Sequence, residues 1–260
     1  MGDLRGPATD RWTVDGFDLH RLAFHIVQVD DEMPARRGSD VTVAGRDGVR
    51  WRPKLLSART VAWSMDVLDE DVYGRRGLDA VRYNLERLKR VWYGDGQVTV
   101  RRTMTLPGGR ISVREGDVEL VDALEVRPEQ PGTLVRLGVT ALMADPLWRE
   151  PRRVAADRSG EFTVDNPGSF RQQDVTVRIA AATNPTLTNV TAGTSFTIDG
   201  AFPGWVELDG ATVTAVDDTE AVQTGAVVRT SRWPVELVPG RNRLVLSSGT
   251  CELSWRPAYL

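Results

Sequence analysis

The chain has 260 residues, 41% of them hydrophobic and 27% charged, which suits one large or two ordinary globular domains. Its formal net charge of −3 excludes a positive field for nucleic-acid sequence recognition, and its one cysteine, Cys251, excludes an intrachain disulfide or a cysteine-built metal centre. The opening MGDLRGPATDRW has no apolar signal core and no run nears membrane-spanning length, so synthesis in a cytoplasm is expected, without membrane insertion.

Residues 10–30 read as two short strands around Asp15-Gly16, with Trp12 and Val14 on one face and Phe24, Ile26 and Gln28 alternating after them. Residues 31–40, DEMPARRGSD, have no period and both signs of charge, the pattern of a mobile loop. VTVAGRDGVRW turns at Gly45–Gly48 between strand-like flanks. RTVAWSMDVLD then places Val61, Trp63, Met65 and Val67 on one strand face. In GLDAVRYNLERLKRVWYG the spacing changes: Leu78, Val81, Leu85, Leu88 and Trp92 recur by threes and fours, with Arg82, Glu86, Lys89 and Arg90 largely opposite. This predicts an amphipathic helix of about four turns, with Asp79 favouring its first turn and Gly94 supplying a left-handed C-terminal cap.

QVTVRRTMTL, GRISVREGDVELVDALEVRP and GTLVRLGVTALMAD return to strand patterning, which makes the first half α+β with a single helix. That pattern stops at Asp145-Pro146, where proline removes a ladder donor. A domain boundary is therefore expected near residue 150, with residues 1–150 and 151–260 as separate domains and with Pro146 and Trp148 at the seam. Beyond it threonine, valine, glycine and asparagine dominate, as in an all-β sandwich. DVTVRIAA turns Val175, Val177 and Ile179 inward. GWVELDGATVTAV reads as a hairpin on a two-residue turn at Asp209-Gly210, and RLVLSSGTCELSW as another around Ser248-Gly249.

The chemical motifs are sparse. His20 and His25, five apart, fall on opposite faces of a strand, which disfavours a shared metal. No nucleophile elbow, phosphate loop or zinc-helix signature is present, so no catalytic residue, metal or cofactor is expected. The acids Asp66, Asp69, Glu70 and Asp71, and again Asp217, Asp218 and Glu220, read as solvated turns; a calcium loop at Asp66–Asp71 is the alternative. Cys251 lies on an inward strand face and reads as packing. Trp205 and Trp233 are the residues a glycan or partner would contact if the sandwich were an adhesin, whereas Trp255 reads as core. Asn189-Val190-Thr191 matches a glycosylation sequon.

The second half carries NPGSF, DVTVRI, NPTLTNVTAGTSFTI, the GWVELDGATVTAV segment, WPVELVPGRNRLVL and the terminal CELSWRPAYL in that order. This order resembles the C-terminal domain of siphovirus distal tail proteins, found among minor tail proteins of actinobacterial phages. The first half, with GRDGVRW before RTVAWSMDV, then the helix, then ADPLW, resembles the family's N-terminal belt domain. The resemblance implies a mainly β chain, an α+β belt followed by a galectin-like sandwich, with no enzymatic activity. It implies a virion tail-tip protein whose belts close into a homo-oligomeric ring, a hexamer, between the tail tube protein and the tail-tip hub protein. The outward sandwich would then support receptor-binding proteins; a carbohydrate-binding adhesin is the alternative. Galectin-type sugar ligation is not implied, because the second half has no histidine. Ring closure needs head-to-tail contacts, and Arg46, Arg50, Arg52 and Arg59 around the belt strands, with Arg82, Arg87 and Arg90 on the helix, are the candidates for them. The loop at Asp30–Asp40 would order on assembly or line the channel.

Overall fold

The computed structural model describes residues 10–21, 23–39, 41–42, 49–50, 55–94, 96–130, 134–228 and 235–260, with backbone alone at 41–42, 49–50 and 130. The chain divides into two compact units, Met1–Trp148 and Arg149–Leu260. It is mainly β, with one long helix among the described residues.

The strands of the first unit are β1 (Asp10–Val14), β2 (Phe17–Asp18), β3 (Phe24–Asp31) and β4 (Arg59–Leu68), then β5 (Val98–Thr105), β6 (Ile111–Leu120), β7 (Glu125–Gln130) and β8 (Leu134–Met143). They pair antiparallel in the order β2-β1-β5-β6-β8-β4-β3, and β7 adds to β8 beyond the end of β6. In β4 the alternation is complete: Arg59, Val61, Trp63, Met65 and Val67 are buried and the residues between them are not. The helix α1 (Leu78–Trp92) buries Ala80, Val81, Asn84, Leu88 and Trp92. Indoles then form a chain through the core: Trp92 meets Trp63 at 5.2 Å, Trp63 meets Trp12 at 5.7 Å, and Trp12 meets Trp148 at 5.7 Å. The last two pairs are edge-on and the first is tilted; aromatic pairs of this kind add about 0.5–1.5 kcal/mol each beyond area burial. The sheet also rolls, so that Phe17 on β2 reaches Phe24 on β3, at the far end of the strand order, with centroids 5.6 Å apart.

The second unit is a sandwich. Its strands are β9 (Val154–Arg158), β10 (Glu161–Asn166), β11 (Thr176–Thr183), β12 (Thr186–Asn189), β13 (Thr194–Thr197), β14 (Ala201–Asp209), β15 (Thr214–Asp217), β16 (Gly240–Leu246) and β17 (Thr250–Trp255). One sheet has the order β9-β17-β11-β14-β15 and the other β10-β16-β12-β13. Val175, Val177, Ile179, Leu244, Leu246, Cys251, Leu253 and Trp255 all enter the core between them.

Several expectations change. Residues 31–40 are not wholly a loop: β3 runs to Asp31, and Arg36–Arg37 pairs with Leu55–Leu56. The alternation after Phe24 ends early because a bulge between Ile26 and Gln28 shifts the register. Gly94 is not the left-handed cap; Tyr93 ends the helix, donating its N–H to Lys89 O at 2.8 Å, and the positive φ falls on Gly96 at 99°. Leu78, placed on the apolar face by its spacing, is half exposed, while Asn84 is buried in that face. Around Ser248-Gly249 the chain does not fold back as a hairpin: β16 and β17 belong to opposite sheets, so this turn crosses the sandwich. Two inward-facing alternations separated by a turn look alike in sequence whether the strands pair or face each other. Asp209-Gly210 opens a four-residue connection instead of a two-residue turn. Gly210 is required there by crowding, since a Cβ would collide with the carbonyl oxygen of Gln173. The GRDGVRW turn lies outside the described residues, apart from the short Val49–Arg50 pairing with Val41–Thr42.

Candidate assembly surface

Charge in the first unit is partly internal. Asp31, at the end of β3, accepts from Arg59 Nη1 at 3.2 Å and from Trp148 Nε1 at 3.0 Å, with Arg102 Nη1 3.6 Å away. Arg102 in turn donates to both carboxylate oxygens of Asp10 and lies 4.9 Å over the Trp12 ring. Arg59 therefore does not belong to the surface set: only 2% of its side chain is exposed, and burial lowers its pKa against the pull of Asp31. The alternation of β4 turns position 59 inward, and the carboxylate of Asp31 makes that tolerable. Trp148 ends the first unit, with its ring against Trp12 of that unit; Pro146, half-buried, precedes it in a bend.

The other arginines differ among themselves. Arg82 is exposed and 3.8 Å from the equally exposed Asp79, and Arg90 is exposed at the last turn of α1. Arg50 lies on the short Val49–Arg50 strand, and Arg46, Arg52 and Trp233 fall outside the described residues. Arg87 is half-buried and takes part in an arrangement its spacing does not reveal. Arg21 stands 5.9 Å from the Phe17 ring centre, Arg87 lies 5.1 Å from Phe17 and 5.8 Å from Tyr83, and Arg75 lies 5.0 Å from Tyr83 and 5.4 Å from Tyr73. Arginine and aromatic ring alternate from the loop before α1, over the helix, to β2. Each cation–ring contact is worth about 0.5–1 kcal/mol at an exposed site. A hydrogen bond with Tyr73, then desolvation, raises the Tyr83 phenol above its ordinary value.

The acidic runs are structured, not simply solvated. Burial pushes the Asp71 carboxyl up, but the backbone N–H groups of Arg75 and Tyr73 and the Arg75 side chain together hold it below its ordinary value. It thereby folds the loop that carries the ladder's first residues. Asp66 pairs with Arg136 at 2.9 Å. In the second unit, the Thr219 hydroxyl at 2.7 Å leads a set of donors that includes Gln223, Thr219 N and Ala221 N, and the Asp217 pKa falls to about 2. No group of three His, Cys, Asp or Glu among the described residues could hold a metal ion, and no helix among them is long and apolar enough to cross a membrane.

On the outer face of the five-stranded sheet, Trp205 is half-buried with the Arg178 guanidinium 4.5 Å over its ring, and Arg178 Nε donates to Glu207 at 2.9 Å. A sugar stacking on that side of the indole would have to displace the guanidinium. Asn189, in the sequon, is fully buried; its Nδ2 donates to Glu236 O at 2.6 Å and to Asn242 Oδ1 at 3.0 Å. It is a brace, not an acceptor for glycan. Asn242 also donates to Val238 O and Gly240 O and accepts from Val238 N, which explains the Pro-Gly-x-Asn spacing. Burial raises the Cys251 thiol to about 12, so this side chain is packing.

A rolled antiparallel sheet with one packed helix, followed by a two-sheet sandwich, defines the class: a two-unit, mainly β protein. Among solved structures, this fold is shared with the SPP1 Dit (gp 19.1) protein, described as a paradigm of hub adsorption apparatus in Gram-positive infecting phages. The TM-score is 0.70 and the identity 17%, over 96% of this chain and 99% of that one. Two structures of the phage p2 baseplate in its activated conformation, with Sr and with Ca, cover 95% of this chain and 98% of theirs. Their identities are 6% and 8% and their TM-scores 0.46 and 0.45. No protein-family model and no curated protein matches the chain. The mainly β fold is the one the sequence resemblance implies.

Proposed function

We propose that this chain is a structural, non-enzymatic component of a phage tail tip, whose copies close head to tail into a ring through their first units. The ring, of six copies, joins the tail tube to the tail-tip hub, and the sandwich units support the host-adhesion components. The observation that carries this reading is the likeness to SPP1 Dit along both units at once, covering 96% of this chain and 99% of that one. A likeness confined to the sandwich would be common among unrelated binding domains; the helix-bearing first unit is the less generic half. The surface agrees with the role, since arginines and aromatic rings are the residue types enriched at protein interfaces. Electron microscopy of the purified chain at high concentration, and of particles that contain it, tests the reading. Rings with a central opening are expected. Particles whose tail tips place the first units apart from one another would overturn it.

A further inference from the structure

The ring reading does not say which faces meet, and the charges of the first unit do. Among the described residues, most of its arginines are paired within the unit, including Arg11, Arg59, Arg76, Arg101, Arg102, Arg127 and Arg136. Arg21 and Arg87, like Arg36, Arg37, Arg90 and Arg110, are in no ion pair among the described residues, but these two meet aromatic rings. Both belong to the ladder, whose free end, Tyr73, is 72% exposed.

The complementary feature lies across the sheet. Where β6 pairs β8, Val118 and Met143 face inward and are buried, so their neighbours Glu119 and Leu142, also opposite one another, point outward. Val121 donates its N–H to Thr140 O and extends this outer patch. Val121 is 54% exposed and Leu142 38%, and exposed Glu119 and Asp122 flank them without an ion pair among the described residues. The helix packs against the opposite, inner face through Trp63 and Trp92. One unit thus presents an aromatic face with unpaired cations on its helix side and an apolar face with unpaired anions on the outside of its sheet.

We propose that these two faces dock on each other between successive copies: the arginine–aromatic ladder of one copy seats on the Glu119–Val121–Asp122–Leu142 patch of the next. The occupant is a second copy of this chain, because the matching charge and apolar surface are on the chain itself. Two different faces meeting give a heterologous contact, which a closed ring requires and a two-fold dimer does not. This rests on the ring reading above.

Analytical ultracentrifugation of the full chain tests it. Arg21→Glu with Arg87→Glu, and separately Glu119→Arg with Asp122→Arg, are each expected to weaken association about 100-fold, roughly tenfold per reversed charge. The four substitutions together restore opposite charges and are expected to recover association to within about tenfold of the wild type. Circular dichroism checks that each variant folds. Independently, a chain carrying Arg87→Cys and Glu119→Cys is expected to give covalent multimers on oxidation. If the wild type forms rings that ignore both reversals, or the cysteine pair gives no multimers, this interface is wrong and the ring stands. A wild type that stays monomeric at every concentration removes both.

Discussion

The two units satisfy their buried polar groups with different chemistry. In the first, an ionic centre joins residues far apart in the chain: Asp31 with Arg59 across 28 positions, Asp31 with Trp148 across 117, and Asp10 with Arg102 across 92. In the second, buried asparagines tie short turns to distant backbone: Asn166 accepts from Gly168 N across two positions and donates to Leu237 O across 71, and Asn189 accepts from Thr191 N across two and donates to Glu236 O across 47. A buried charge left without its opposite charge is costly. A buried amide needs a donor and an acceptor, which backbone supplies without any charge. The first unit is therefore most sensitive to loss of a charge partner, and the second to loss of a single amide that joins a short turn to a distant strand.

The comparison is broken most severely at Asp31. Asp31→Ala leaves Arg59 charged, buried and without its carboxylate and removes the acceptor of the Trp148 indole, so a loss of about 3–5 kcal/mol is expected in denaturant unfolding. Replacing the pair together, Asp31→Leu with Arg59→Met, is expected to recover most of that loss, because the cost lies in the uncompensated charge. Next is Asn242→Leu, which strands the half-buried Val238 N–H and carbonyl, while the exposed Gly240 carbonyl turns to water and Asn189 keeps Glu236; about 2–4 kcal/mol is expected, from two unmet groups at roughly 1–2 kcal/mol each. Hydrogen exchange should show the lost protection within Arg149–Leu260 and not in the first unit.

Smaller effects sharpen the same contrast. Asp217 has an ordinary carboxyl value of 3.8 and a folded value of about 2. Its contribution is therefore fully present above the ordinary value and is lost as pH falls from there through about 2. Unfolding measured at pH 5 and at pH 2 should show an acid-dependent loss in the wild type that is reduced in Asp217→Asn. The least perturbing test is chemical. With its thiol raised to about 12, Cys251 should resist a thiol reagent at pH 8 in the native chain and react on denaturation.

Much of the architecture follows from period alone. Val61, Trp63, Met65 and Val67 alternate in sequence because one face of β4 is dry, and Val81, Leu88 and Trp92 recur because α1 covers that face. The change of composition after Trp148 reflects a different kind of layer. The proposed contact surface was much less visible. Of the arginines that spacing marks on the belt strands and helix, Arg59 is internal, and Arg87 acts through rings contributed by β2 and α1. Arg21, Arg75 and Phe17 show no signal at all in a linear reading, because their relation exists only where a hairpin, a loop and a helix converge. Asp31 falls in a charged run that reads as a mobile loop for the same reason.

The sequence by itself determined most of the strand segments, where the long helix lies, and the apolar side of most elements, since these depend on neighbours within a few residues. Tertiary structure alone decided which strands pair across the rolled sheet, that the Ser248-Gly249 turn crosses a sandwich, and which charges are buried with partners. Pairing over tens of residues leaves no period behind, because its energy lies in contacts that exist only after the chain has folded.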